Sequence, residues 1–279
     1  MKHRFLFLMI GLAFFSAFSN VAKAQDLKTE VYEKIHIPNK KPVPYVTTRE
    51  ADVMWEKTVW RMIDLRQKMN LPLYYPTKAI GSRMSLIDIL LWGMKNEGLK
   101  VYATDDELNE FAKEMTYDQV SQALGGLPDT IKRSGMADTI IPGEIRNDQV
   151  KKVLVKEKWF FDKQYSTMQV RIIGLCPIRV YSRPGDSTNT PIMKKLFWVY
   201  YPDARNLLCS HDVFNPFNDA QRISFDDLFM QRRFDSYIFA ESNVYNNRTI
   251  NDYAPAEALQ EAERIKNWIF NTEQDLWEY

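Results

Sequence analysis

Val153-Leu-Val-Lys-Glu-Lys-Trp-Phe-Phe161, Met168-Gln-Val-Arg-Ile-Ile-Gly-Leu-Cys-Pro-Ile-Arg-Val180 and Leu196-Phe-Trp-Val-Tyr-Tyr201 decide the fold of this chain. In the second run the even positions Met168, Val170, Ile172, Gly174, Cys176, Ile178 and Val180 alternate with Gln169, Arg171, Ile173, Leu175, Pro177, Arg179 and Tyr181. A period of two marks a strand with one dry face. The polar link 162–165 joins it to the first run, and 196–201 is apolar on both faces, as an internal strand is. Pro202 and Asp203 read as a turn and residues 206–211 as one more short strand. Pro177 donates no ladder hydrogen bond, so a bulge is expected there. Helical patterns lie on both sides of this block, which gives an α+β fold with an N-terminal helical layer, a central antiparallel sheet, and a C-terminal helix and tail.

The 279 residues are 45% hydrophobic and 26% charged, ordinary values for a globular chain of one large or two modest domains. Residues 1–24 have the marks of a signal peptide: basic Lys2 and Arg4, an apolar run from Phe5 to Phe18, and Ala22-Lys-Ala24 as a cleavage site. The run is short of the roughly 20 residues that a spanning helix needs. Cleavage would remove three of the 37 basic residues and no acidic one, leaving 34 against 36. That balance is no nucleic-acid footprint. Cys176 and Cys209 are the only cysteines. In a meander they sit two strand spacings apart, about 9.6 Å, beyond the reach of a disulfide, so two buried thiols are expected.

Residues 25–47 carry Pro38, Pro42 and Pro44 beside Tyr45 and form an extended arm, either a leader to the first domain or a strap on a neighbouring subunit. Thr47 and Glu50 form a capping box that would open a helix to residue 70, with Trp55, Val59, Met62, Ile63, Leu65 and Met69 on one face. Trp60 falls outside that stripe and marks either a contact surface or a second covering layer. Ser85 with Asp88 starts a helix closed by Gly98, and 99–103 is a short strand. Thr104 with Glu107 opens a helix over 105–115, and 117–124 is another. These make a helical region at 48–124, followed by a linker loop at 125–147 and a sheet domain at 148–279. Within the last, Ser224 with Asp227 caps a helix to about Phe234, 236–245 is a strand, and 246–253 is a polar turn. A final helix runs from Pro255 to about Asn271, with Ala258, Ala262, Ile265 and Ile269 on one face and a tail carrying Trp277 and Tyr279.

No catalytic constellation emerges. Past residue 24 the histidines are His36, in the arm, and His211, which with Cys209 and Asp212 gives too few convergent ligands for a closed zinc site. No nucleophile elbow, zinc-protease helix, phosphate loop or dinucleotide fingerprint occurs. The pairs Asp105-Asp106 and Asp226-Asp227 fall in helix first turns, where the helix dipole favours acids. A chain that is 13% aromatic without such a site suits binding, so no metal and no cofactor are expected.

Three further runs, Trp159-Phe-Phe-Asp-Lys163, Arg171-Ile-Ile-Gly-Leu-Cys-Pro177 and Leu196-Phe-Trp-Val-Tyr-Tyr-Pro-Asp-Ala-Arg205, resemble the GldN/PorN family. So do Ser224-Phe-Asp-Asp-Leu-Phe229, Arg232-Arg-Phe234, Glu241-Ser-Asn-Val-Tyr245, Glu261-Ala-Glu-Arg-Ile-Lys266 and Asp275-Leu-Trp-Glu-Tyr279. The likeness runs from residue 48 to the C-terminus. It implies a non-catalytic periplasmic part of the type IX secretion and gliding machinery. Its partners would be further copies of itself in a ring, a GldK/PorK-like outer-membrane lipoprotein that holds it at that membrane, and a GldM/PorM-like periplasmic domain. A stand-alone binder or hydrolase of cell-wall glycan is the competing expectation. The physical reading alone supplies the interface candidates: Pro38, Pro42, Pro44, Tyr45, Trp60, Arg232, Arg233, Phe234, Trp277 and Tyr279.

Overall fold

The computed structural model describes residues 35–105, 109–126, 129–131, 139–141, 143–182 and 190–277. Residues 1–34, and with them the signal-peptide reading, lie outside the described residues, as does Tyr279. The elements in order are β1 (Val53–Asp64), α1 (Leu71–Tyr74), α2 (Leu86–Asn96), β2 (Val101–Tyr102), β3 (Glu114–Met115), α3 (Tyr117–Ala123), β4 (Asp129–Ile131), β5 (Thr139–Ile141), β6 (Val150–Asp162) and β7 (Thr167–Tyr181). Then come β8 (Ile192–Lys195), β9 (Trp198–Tyr200), α4 (Tyr201–Cys209), β10 (Asp212–Val213), β11 (Ile223–Ser224), α5 (Phe225–Met230), β12 (Tyr237–Glu241), α6 (Ile250–Tyr253) and α7 (Ala258–Trp277).

An eight-stranded antiparallel sheet carries the fold, in the order β12-β1-β6-β7-β9-β2-β3, with β8 also paired to β7. The long β6 and β7 pair along nearly their whole length, so alternate residues of each are committed to opposite faces. Val153, Val155, Ile172 and Leu175 meet Leu86, Ile89 and Leu90 of α2, Leu207 and Leu208 of α4, and Phe225 and Phe229 of α5 in the main core. Leu154, Cys176 and Ile178 point the other way and pack with Trp60, Met62, Trp198 and Ala240. A third cluster seats α7 through Ala262, Ile265 and Ile269 on Val59 of β1 and Ile238 of β12. Helices α2 and α4 approach so closely that a Cβ at Gly93 would lie 2.2 Å from Leu207 Cδ2.

The largest correction concerns the helix expected over 48–70, where Val53–Asp64 form strand β1 between two 3₁₀ turns, Glu50–Asp52 and Lys68–Asn70. The spacing of Val59 and Ile63 fits a helix face, but it equally fits one face of a strand, with Trp60 and Met62 filling the other. Strand pairing along both edges, to β6 and to β12, decides it, and the β-branched and aromatic residues agree. The strand expected over 206–211 is the reverse error, since 206–209 are the last residues of α4 and Ser210 is its C-cap. Pro202 sits in the first turn of that helix, where proline is favoured, instead of closing a strand. Described residues in 105–115 make turns and β3 rather than a helix, with Glu110 and Phe111 turned toward the sheet. The 125–147 linker holds the β4–β5 ribbon.

Pro177 pairs regularly with Val153, and the two register shifts of this ladder fall instead between Val150 and Lys152 and between Lys156 and Glu157. The proline is tolerated because the outer neighbour of β7 changes from β9 to β8 there, and its carbonyl accepts the Leu196 N–H at 3.0 Å. Helix α5 stops at Met230, before Phe234, and the polar turn contains α6. Helix α7 begins at Ala258, not Pro255, and continues through the supposed tail to Trp277. The Ser85 and Ser224 caps, the helices at 86–96 and 117–123, Gly98 with φ 68°, and strands β6, β7 and β12 stand as expected.

Both thiols are free and buried, although Cys209 lies on α4 and not on a strand. Burial pushes the Cys176 thiol up to about 12. A maleimide at pH 8 should therefore leave Cys176 unmodified in the folded chain and label both cysteines after denaturation without reductant. A mass spectrum showing a bridged peptide pair would contradict this arrangement.

Candidate assembly surface

Residues 35–49 have no regular secondary structure beyond a turn and lie on α4 and α5 through a few side chains. Ile37 is fully buried. Lys40 Nζ bonds the carboxylate of Asp227 and reaches Ser224 Oγ at 3.5 Å. Ser224 and Asp227 are also the capping box of α5, so the arm neutralises the carboxylate that holds the helix start. The Tyr45 ring lies 4.3 Å from the Arg205 guanidinium and 5.2 Å from that of Arg171, and its hydroxyl points at Met230 Sδ, 3.7 Å away. Cations on an aromatic face contribute about 0.5–2 kcal/mol each, more as water is excluded. Arg171 also donates to the Val46 carbonyl and to Thr48 Oγ1, and Thr48 Oγ1 lies 3.3 Å from Asp162 Oδ2.

Beneath Tyr45, Arg205 donates through Nε and Nη2 to both oxygens of Asp226, each at 3.1 Å, and Tyr201 donates to Oδ1 at 2.7 Å. All three are buried. Burial, then the adjacent Asp226 charge, raises the Tyr201 phenol well above its ordinary value, so it stays a donor. Burial also raises Tyr45, against the opposing pull of Arg205. At Asp227 burial disfavours the charge, but the bonds from Lys40 and Ser224 prevail and hold its carboxyl below the usual range.

The structure sorts the sequence candidates. Pro38 and Pro44 are exposed, Pro42 and Tyr45 half-buried, and all four belong to the arm. Trp60 is not on the surface: its indole N–H donates to Glu110 Oε1 at 3.1 Å and Lys156 covers its ring. That agrees with a second covering layer and not with a contact surface. Arg232 is also turned inward. A positive φ of 54° lets it grip the fully buried Glu157 through two bonds of 2.9 and 3.1 Å, while Trp159 Nε1 donates to the same carboxylate. Phe234 is buried in the main core. Arg233 alone of the three faces solvent, beside an apolar groove of about 270 Å³ lined by Met69, Pro72, Phe214 and Phe217. Trp277 closes α7.

Sequence reasoning missed Arg171, Arg205 and Asp226, because nothing local links them to Tyr45. It also missed Phe217, 94% exposed at the tip of the β10–β11 hairpin. Asn215 and Asn218 accept backbone N–H groups two residues on and hold that tip rigid. The run Asn215-Pro-Phe-Asn218 was a legible turn, and its aromatic was the available signal.

Among the described residues no group of three His, Cys, Asp or Glu side chains is placed to hold a metal ion. His211 instead packs on the edge of Trp92 and holds the Leu207 carbonyl through Nδ1 at 2.9 Å. Nor is any described helix long and apolar enough to cross a membrane. Residues 48–278 match the family model described as gliding motility associated protein GldN. No curated protein matches the chain.

Two outcomes test these contacts. Arg232→Ala should cost about 3–5 kcal/mol in urea unfolding, since it strands a buried carboxylate, whereas Arg233→Ala should stay within about 0.5 kcal/mol. Equal costs would contradict the assignment. The depressed carboxyl of Asp227 contributes stability that is present above the ordinary carboxylate value and lost as pH falls through its lower folded value. The stability difference between the native chain and Lys40→Met, on the order of 1 kcal/mol for this part-buried pair, should therefore shrink as urea titrations move below pH 4.

Proposed function

The chain belongs to the GldN family of proteins associated with gliding motility and type IX secretion, and from that membership we propose that it is a structural subunit of the secretion machinery's periplasmic ring. The observation that carries this reading is the extent of the match, which spans nearly the whole described body. The proposed route is export by a signal peptide cut after Ala24, then assembly with a GldK/PorK-like outer-membrane lipoprotein and with a GldM/PorM-like subunit reaching from the inner side. The work is to scaffold or transmit force, without catalysis and without nucleic acid.

The polar chemistry of the body supports a structural role. Among the described residues the buried acids are engaged by neighbours: Glu157 by Arg232 and Trp159, Asp226 by Arg205 and Tyr201, Glu110 by Trp60 and Lys156, and Asp162 by Thr48 and the Gln164 N–H. A glycosidase needs one carboxyl held protonated and another ionised on either side of an open cleft. These carboxylates are spent on holding the fold.

A ring is a heterologous assembly, in which one patch meets a different patch and the rotation closes. Size-exclusion chromatography with light scattering on residues 25–279, alone and mixed with the co-exported lipoprotein, tests it. A large particle of defined mass on mixing is expected. A monomer persisting with the lipoprotein across salt and concentration would overturn the reading.

A further inference from the structure

We infer that the arm at 35–48 and its seat on α4 and α5 form an exchangeable joint, in which the arm of one copy occupies the seat of the next copy in the assembly. The inference rests on the assembly reading above. Its first support is how the arm is held. Among the described residues it joins no strand of the sheet, and its anchoring is by plugs: Ile37, Lys40 on Asp227, Tyr45 between Arg171 and Arg205, and Thr48. A segment fixed by few side chains and no backbone ladder opens at low cost compared with the core.

The second support is stiffness. Pro38 sits in the turn at 36–39, closed by the Lys40 N–H on the Ile37 carbonyl at 3.0 Å, and Pro42 and Pro44 restrict φ in the irregular stretch that follows, so the arm loses less entropy on seating than a chain without prolines. Beyond the turn, the eight residues 41–48 span at most roughly 26 Å between their attachment to β1 and the Lys40 plug. The attachment point at residues 49–52 is an exposed 3₁₀ turn entering β1, tied down by Arg49 on Asp52 and by the Lys163 N–H on the Asp52 carbonyl. It is a fixed attachment for the proline-containing arm.

The third support is the arm's outer side. Ile35, Val43 and Val46 are 64%, 69% and 50% exposed, interspersed with the exposed polar residues His36, Asn39, Lys41 and Thr47. Sandwiching the strap between copies would take these three apolar side chains out of water. The contacts in the seat are the same whichever copy supplies the arm, so effective concentration within the assembly decides the exchange.

The test mixes two full-length single variants, Tyr45→Cys and Met230→Cys, whose native side chains touch, and assembles them with the lipoprotein before adding a short bis-maleimide. The native Cys176 and Cys209 are buried and provide the background. A covalent heterodimer of the two variants, formed in the particle and absent from the dilute mixture, is the expected result. A second pair, Lys40→Cys with Asp227→Cys, probes the other plug in case loss of the tyrosine unseats the arm. A particle of full size in which neither pair yields heterodimers, while the corresponding double variants close within one chain, overturns exchange and leaves the assembly reading standing. Absence of any particle overturns both.

Discussion

The antiparallel pairing of β6 with β7 is the constraint on which the remaining structure depends. Both strands carry apolar side chains on both faces through their middle, Val153 and Val155 against Leu154, Leu175 against Cys176. A sheet of that kind must be covered on both sides. Helices α2, α4 and α5 cover one face, and on the other Trp60, Trp198, Phe111 and Phe239 cluster around Leu154 and Cys176. Burying each such side chain contributes about 1.5–3 kcal/mol, and the pairing commits them all at once. A one-residue slip in register would exchange the two faces and place Lys156 and Lys158 among the helices.

Charges enter that interior only where a partner waits. Glu157 sits fully buried on β6 beside the half-buried Arg61 of the paired strand, and burial lowers the tendency of Arg61 to stay charged, against the pull of Glu157. Arg232 reaches in from the turn after α5 to complete the set. The Arg205–Asp226 pair does the same at the arm's seat. Buried pairs of this kind add little net stability but are costly to break, so they fix which segment lies where. The turn after α5 and the arm are each positioned by one such group.

How much of this was legible follows from the range of the forces involved. Period-two alternation reported β7, local capping chemistry reported α2 and α5, and Gly98 marked the end of α2, because each is written within a few residues. Strand β1 was misread because its apolar spacing satisfies both periods and its edges are paired by residues far along the chain, none nearer than Lys152 opposite Asp64, 88 positions on. Pro202 was ambiguous in the same way, serving turns and helix starts alike. Of the candidate contact residues, the arm was visible from its prolines, but the fates of Trp60 and Arg232 depend on Glu110, Lys156 and Glu157, which no local pattern connects to them.

A subunit that works through its surface should keep its interior unchanged when it assembles. Hydrogen–deuterium exchange read by mass spectrometry, on residues 25–279 alone and in the lipoprotein complex, separates surface from interior directly. Slower exchange confined to surface segments, with the amides of β6 and β7 equally protected in both states, is the expected result. Identical exchange throughout the chain in the presence of saturating lipoprotein would contradict the assembly reading at its root.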